Sequence, residues 1–359
     1  MEKFSRWRDA GTGIQPFLPP VPARQSTSAL ESLISALSMV IKPVLGLAKL
    51  LVAAVVSTVM FIFVDGIGSI LTETVTLRRG RSAGAAASSS KKASGKKAMP
   101  WGQIIVSNWT SYIDVLYLAF RYDPVFTQIY PDTLTVREVS MWKAMELSGS
   151  YPELAPPQGV QTYPLIDFLK DSQQKGKGPI VIFAEGTTSN NRALLKFVPL
   201  FRKCQIPETN VDINILAFKY DYQKFCPTFT VGFGRKSQIG HMFRTCAQFY
   251  NQLTVRALAA EERPSNSNFS ALSGLASTPI GLATGVVESV VDGDALGSVI
   301  LNLMGQISRL RKTGLGVRDK ADFLDFYVQR NSGVSATAAT KKSGGVASRA
   351  SASSAKKRA

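Results

Sequence analysis

The chain has 359 residues, 45% of them apolar, and a formal charge of +17 from 42 Lys and Arg against 25 Asp and Glu. That length admits two domains, although single α/β cores of 200–250 residues are common. The charge alone would suit a nucleic-acid partner, but residues 78–98 hold seven cations and no acid, residues 332–359 hold six and no acid, and elsewhere 29 cations face 25 acids.

In chain order, residues 1–26 form an N-terminal segment and residues 27–77 a membrane candidate. Leu50 to Val64 carries no charge, and extension back to Val44 meets only Lys49. About 20 apolar residues span a bilayer core, and a lysine near one end can snorkel to the interface. Lys42-Pro43 separates a second apolar stretch, Ala29–Ile41, so one spanning helix and a helical hairpin both remain open. Residues 78–98 then read as a basic Ala/Ser/Gly/Lys linker, too polar to bury a core. Its charge excess over the N-terminal flank places residues 78–359 in the cytosol by the positive-inside tendency. With no aromatic residue interleaved, both basic runs fit an anionic lipid surface better than single-stranded nucleic acid.

Residues 99–258 alternate short apolar strands with helical stretches, which predicts a layered α/β domain with a mixed sheet. Strands are expected at Gln103–Ser107, 180–184, 211–218, 228–233 and Leu253–Arg256. Helices are expected from about Asn108 to Phe120, from Pro164 onward, and around Ile239–Arg244. Residues 259–298 read as an irregular linker, apart from a short helix at Val286–Val291. Apolar residues at helical spacing within Leu301–Lys312 and Asp319–Gln329 predict a small helical hairpin over 299–331, followed by a disordered basic tail, 332–359.

Two stretches carry the chemistry. Ile180–Phe183 is a buried-strand pattern that empties into Ala184-Glu185-Gly186-Thr187-Thr188-Ser189-Asn190-Asn191-Arg192. Gly186 permits close backbone approach, the small polar residues supply neutral donors, and Arg192 and Lys196 follow as cations. Upstream, Gln103–Ser107 leads into Asn108-Trp109-Thr110-Ser111-Tyr112-Ile113-Asp114. Three cysteines (Cys204, Cys226, Cys246) with no CxxC spacing read as reduced thiols. His241 is the only histidine, and no metal-ligand cluster surrounds it; a structural role is favoured for it.

Together the two stretches resemble the PlsC-type glycerolipid acyltransferases. Asn108, Ser111 and Asp114 match the family's Asn-His-x-Ser-x-x-Asp motif; Phe183, Glu185, Gly186, Thr187 and Arg192 match its Phe-Pro-Glu-Gly-Thr region. The opening, Met1 to Pro20, resembles a fungal branch that acylates lysophosphatidic acid with oleoyl-CoA and lacks the motif histidine. Here Trp109 stands in that place and Ala184 replaces the proline. The resemblance implies a PlsC-type domain that makes phosphatidic acid, with acyl-CoA as co-substrate and no cofactor or metal. It implies Asp114 and Glu185 as catalytic residues, and an acceptor site formed by Asn108, Ser111, Gly186, Thr187, Arg192 and Lys196, with Lys219 a weaker phosphate candidate. The implied location is the endoplasmic reticulum membrane or lipid droplets, facing the cytosol. A lipid-binding scaffold without catalysis is the alternative, because indole cannot take a proton.

Overall fold

The computed structural model describes residues 4–20, 71–78, 103–203, 211–221, 225–232, 234–248, 251–259, 262–265 and 293–331, with pieces of helix within 41–51. Most of the candidate membrane segment, most of the basic linker, Val286–Val291 and the tail lie outside these residues. Among the described residues, no helix is long and apolar enough to cross a membrane.

The strands are β1 (Leu71–Arg78), β2 (Ile104–Ser107), β3 (Val125–Tyr130), β4 (Thr135–Val139), β5 (Tyr163–Pro164), β6 (Ile180–Ile182), β7 (Ala193–Leu194), β8 (Ile213–Asp221), β9 (Asn251–Leu258) and β10 (Arg311–Lys312). Between and after them run helices α1 (Tyr112–Tyr122), α2 (Met141–Leu147), α3 (Leu165–Gln174), α4 (Gly234–Cys246), α5 (Ala295–Ser308) and α6 (Val317–Asn331). Eight strands form one mixed sheet in the order β1-β9-β8-β2-β6-β3-β4-β5. Its centre, β8-β2-β6-β3, is parallel, and antiparallel pairs flank it.

Period-2 alternation distributes the central side chains between two apolar layers. Ile104, Val106, Ile180, Ile182, Ile213 and Ile215 meet Leu165, Phe168 and Leu169 of α3 and Ile300, Met304 and Ile307 of α5. On the other face, Ile105, Val181, Phe183, Leu216 and Phe218 meet Val115, Tyr117 and Leu118 of α1. A third cluster joins Trp7 and Phe17 of the N-terminal arm to Phe323 and Leu324 of α6. The layered mixed α/β architecture is therefore as expected.

Several elements differ from expectation. Residues 71–77, assigned to the membrane segment, form β1 with Arg78, which pairs in parallel with β9. The Thr-rich alternation of Leu71-Thr72-Glu73-Thr74-Val75-Thr76-Leu77 is a strand signature that a hydropathy window absorbs. Residues 228–232, the described part of the strand expected at 228–233, are not a strand. Their backbone goes to separate partners: Phe229 N–H donates to Thr110 O at 2.8 Å, and Thr230 O accepts from Lys320 Nζ at 2.5 Å. The C-terminal helices do not form a small hairpin by themselves; α5 is built into the sheet-facing core and α6 carries the arm.

Candidate functional site

Strands β2 and β6 are parallel neighbours, with Val106 opposite Ile182. Both chemistry-bearing stretches consequently leave the carboxyl ends of adjacent strands, where open α/β sheets hold their ligands. They are joined directly: Trp109 N–H donates to Glu185 Oε2 at 2.9 Å, and Ser189 N–H donates to Trp109 O at 2.9 Å.

Ser111 caps α1, and Asp114 closes a reciprocal capping box with it. Asp114 is 0% exposed. Its Oδ2 accepts from Thr110 N–H at 2.7 Å, Thr110 Oγ1 at 2.8 Å and Ser111 N–H at 3.0 Å, while Oδ1 accepts from Tyr220 O–H at 2.5 Å. Burial pushes its carboxyl up to about 6, against the opposing pull of these bonds. Glu185 is also 0% exposed. It clamps Trp109 N–H through Oε2 and Leu195 N–H through Oε1 at 2.8 Å. Burial pushes it up to about 8. Leu195 is held in turn by the pairing of β7 with β10 and by Lys196 N–H on Leu315 O at 2.8 Å.

The other matched residues divide into framework and surface. Asn108 imitates a strand neighbour, donating to Phe218 O at 3.0 Å and accepting from Phe218 N–H at 2.8 Å. Ser111 Oγ donates to Pro227 O at 2.9 Å. Gly186 has φ +68, and a Cβ there would lie 3.3 Å from Val198 Cγ2, so only glycine sits there without strain. Thr188 Oγ1 donates to Ser148 O at 3.1 Å. Asn190 binds the arm, donating to Gln15 O at 2.7 Å and Leu18 O at 2.8 Å.

One cleft opens on this framework, lined by Trp109, Phe183, Gly186 and Thr187 together with Gln128 and Glu153. Trp109 stacks on Phe183 with centroids 4.6 Å apart and planes 14° from parallel, and its indole N–H is buried without a partner. Glu153 reaches the cleft half-buried, accepting from Gln128 Nε2 at 2.9 Å, and Arg137 holds the other end of that amide. Arg192 is exposed and Lys196 half-buried, and neither lines the cleft. The fold thus brings Asn108, Trp109, Ser111, Asp114, Glu185, Gly186 and Thr187 together and leaves the two cations outside the cleft.

His241 lies outside the cleft, among aromatic rings. It packs on Phe225 and Phe229, its Nδ1 lies 3.0 Å from Tyr112 Oη, and burial pulls its imidazole down to about 4. Among the described residues no group of acids, cysteines and histidine could hold a metal. Three residues outside the expected site set complete the site: Tyr220 on Asp114, Glu153 in the cleft, and the buried Lys320. Only the alternation of β8, which turns Tyr220 to the same face as Phe218, offered a signal for any of them.

The chain is 27% identical over 215 residues to a Schizosaccharomyces pombe (strain 972) protein named "Putative lysophosphatidic acid:oleoyl-CoA acyltransferase". The match covers 56% of this chain and 68% of that protein. No family model matches the chain, and no solved structure does.

Proposed function

We propose that this protein transfers a fatty acyl group, oleoyl foremost, from acyl-CoA to lysophosphatidic acid, forming phosphatidic acid, or to a related lysophospholipid, forming the corresponding diacyl lipid. The observation that carries the reading is the direct union of the two matched stretches, Trp109 N–H on Glu185 Oε2 at 2.9 Å, at the carboxyl ends of β2 and β6. The similarity to the yeast protein supports the same reaction class.

In this reading the acceptor hydroxyl oxygen attacks the thioester carbonyl carbon. The C–S bond breaks, and the hydroxyl proton ends on the departing CoA thiol. Asp114 and Glu185 act as positioning residues, because all their oxygens hold backbone or Tyr220 donors. Proton removal falls to the phosphate of the acceptor or to Glu153, the carboxylate that lines the cleft. The rate then rests on alignment of a reactive thioester with its acceptor more than on a strong base. No cofactor is required beyond acyl-CoA as co-substrate. The protein would work at the endoplasmic reticulum or lipid-droplet surface, with its body in the cytosol and its basic runs on anionic lipid.

A second reading, a lipid-binding scaffold without catalysis, is favoured by the Trp109–Phe183 stack where the family has its histidine. The deciding experiment is purified full-length protein, from a host lacking rival acyltransferases, with labelled oleoyl-CoA and a panel of lysolipids. Labelled phosphatidic acid, lost in Gly186→Val, supports the enzyme. Lysolipid binding with no product on any acceptor supports the scaffold.

A further inference from the structure

A cavity of about 440 Å³ lies apart from the aromatic cleft and shares no lining residue with it. That volume falls in the range of small-molecule sites, about 300–1,000 Å³, near its lower end. Phe225, Phe229 and Val231 make an apolar wall, Pro19 and Pro20 close one side, and α4 closes another. One lining residue, Thr230, is only 5% exposed, and its Oγ1 is buried without a partner. A buried hydroxyl left unpaired is costly, and such groups in a cavity wall await a ligand oxygen. Positive charge faces the same place, since Arg244 lines the cavity from α4.

We propose that this cavity binds a single-tailed anionic amphiphile, its chain on Phe225, Phe229 and Val231, its acidic head at Arg244, and a head-group oxygen accepting from Thr230. One chain suits the volume. A long-chain fatty acid, a lysophospholipid and an acyl-CoA share this chemistry. The inference does not require acyl transfer.

The test uses the full-length protein in a fluorinated surfactant with 11-(dansylamino)undecanoic acid as the fluorescent probe. Oleate, oleoyl-lysophosphatidic acid and oleoyl-CoA are the displacing arms, and uncharged oleyl alcohol is the control. Gly240 lines the cavity, and a Cβ there meets nothing within 4 Å. Gly240→Phe therefore adds bulk where the backbone tolerates it, at a helical position where glycine is the poorer residue. Thr230→Val replaces an unpaired hydroxyl by a methyl group, which leaves the empty fold as stable or more so. Expected are displacement by at least one anionic arm and an alcohol weaker by about tenfold, losses of about tenfold in Gly240→Phe and about three- to tenfold in Thr230→Val, and unchanged or raised melting temperatures. The most potent arm identifies the source of the ligand. Absence of probe binding, or affinity unchanged in both variants, overturns the proposal. Acyl transfer assayed on the same preparation separates the two readings: turnover without cavity binding sinks only the cavity, and cavity binding without turnover sinks only the enzyme.

Discussion

Asp114 holds four donors in a sealed pocket, so its substitution disturbs the fold before it tests chemistry. Tyr220→Phe is the cleaner probe, since it removes only the hydroxyl 2.5 Å from Oδ1. It should lower unfolding free energy by about 1.5–3 kcal/mol, as for a bond to a charged group, read from the urea midpoint. The pH dependence has a definite sign. Burial raises the folded pKa of Asp114 to about 6, so its favourable contribution is complete below the unfolded value and disappears as pH rises through 6. Loss of the Tyr220 bond, which lowers that pKa, moves the window upward, and the deficit of Tyr220→Phe should be larger at pH 8 than at pH 5. Lys320 has the opposite sense. It is 1% exposed, donates to Thr188 O and Thr230 O, lies over the Phe17 ring at 5.2 Å, and burial pulls it down to about 7. Its contribution is present above the unfolded value of 10.5 and disappears as pH falls through 7. Between pH 7 and 9.5 wild type should gain melting temperature relative to Lys320→Met; parallel curves would show that this lysine stays charged. The capping role of Ser111 and Asp114 was legible in the polar residues before an apolar run. The Tyr220 and Lys320 contacts were not, because they join positions 90 to 132 residues from their partners.

At the scale of elements, the N-terminal arm works as a strap. Trp7 and Phe17 pack on Phe323, and Asn190 N–H donates to Pro16 O at 2.8 Å, so the arm holds the loop after Gly186 from outside. Trp7 is 4% exposed, and Trp7→Ala should cost about 3–5 kcal/mol. Limited proteolysis of that variant should cut within 187–192; an unchanged digest would mean the loop stands without its strap. Where apolar residues recur at a clear period, as in β2, β6, α1 and α3, the sequence was readable. It misled at 228–233, where Thr-Phe-Thr-Val alternates like a strand, yet Phe229 N–H and Thr230 O are taken by Thr110 and Lys320. The β3–β4 hairpin escaped notice because its turn has Leu134 at φ 53 and no glycine to mark it.

For the whole molecule, the central parallel strands determine where chemistry can sit, and that much followed from two short motifs. The surroundings did not, since α5 and α6 return from the far end of the chain to brace β7 and the arm. Gly186→Val tests the assembled whole: with φ +68 and Val198 at 3.3 Å, a branched side chain should lower the melting temperature and abolish activity together. Finally, β1 and the arm both belong to this one body, β1 through β9 and the arm through α6. The chain between Pro20 and Leu71 therefore departs from and rejoins the same solid. Crossings of a bilayer by such a loop come in pairs: none or two, never one. Tags at Met1 and Ala359 should therefore be digested together by protease added to sealed microsomes, and protection of one alone would require the arm to be torn from α6.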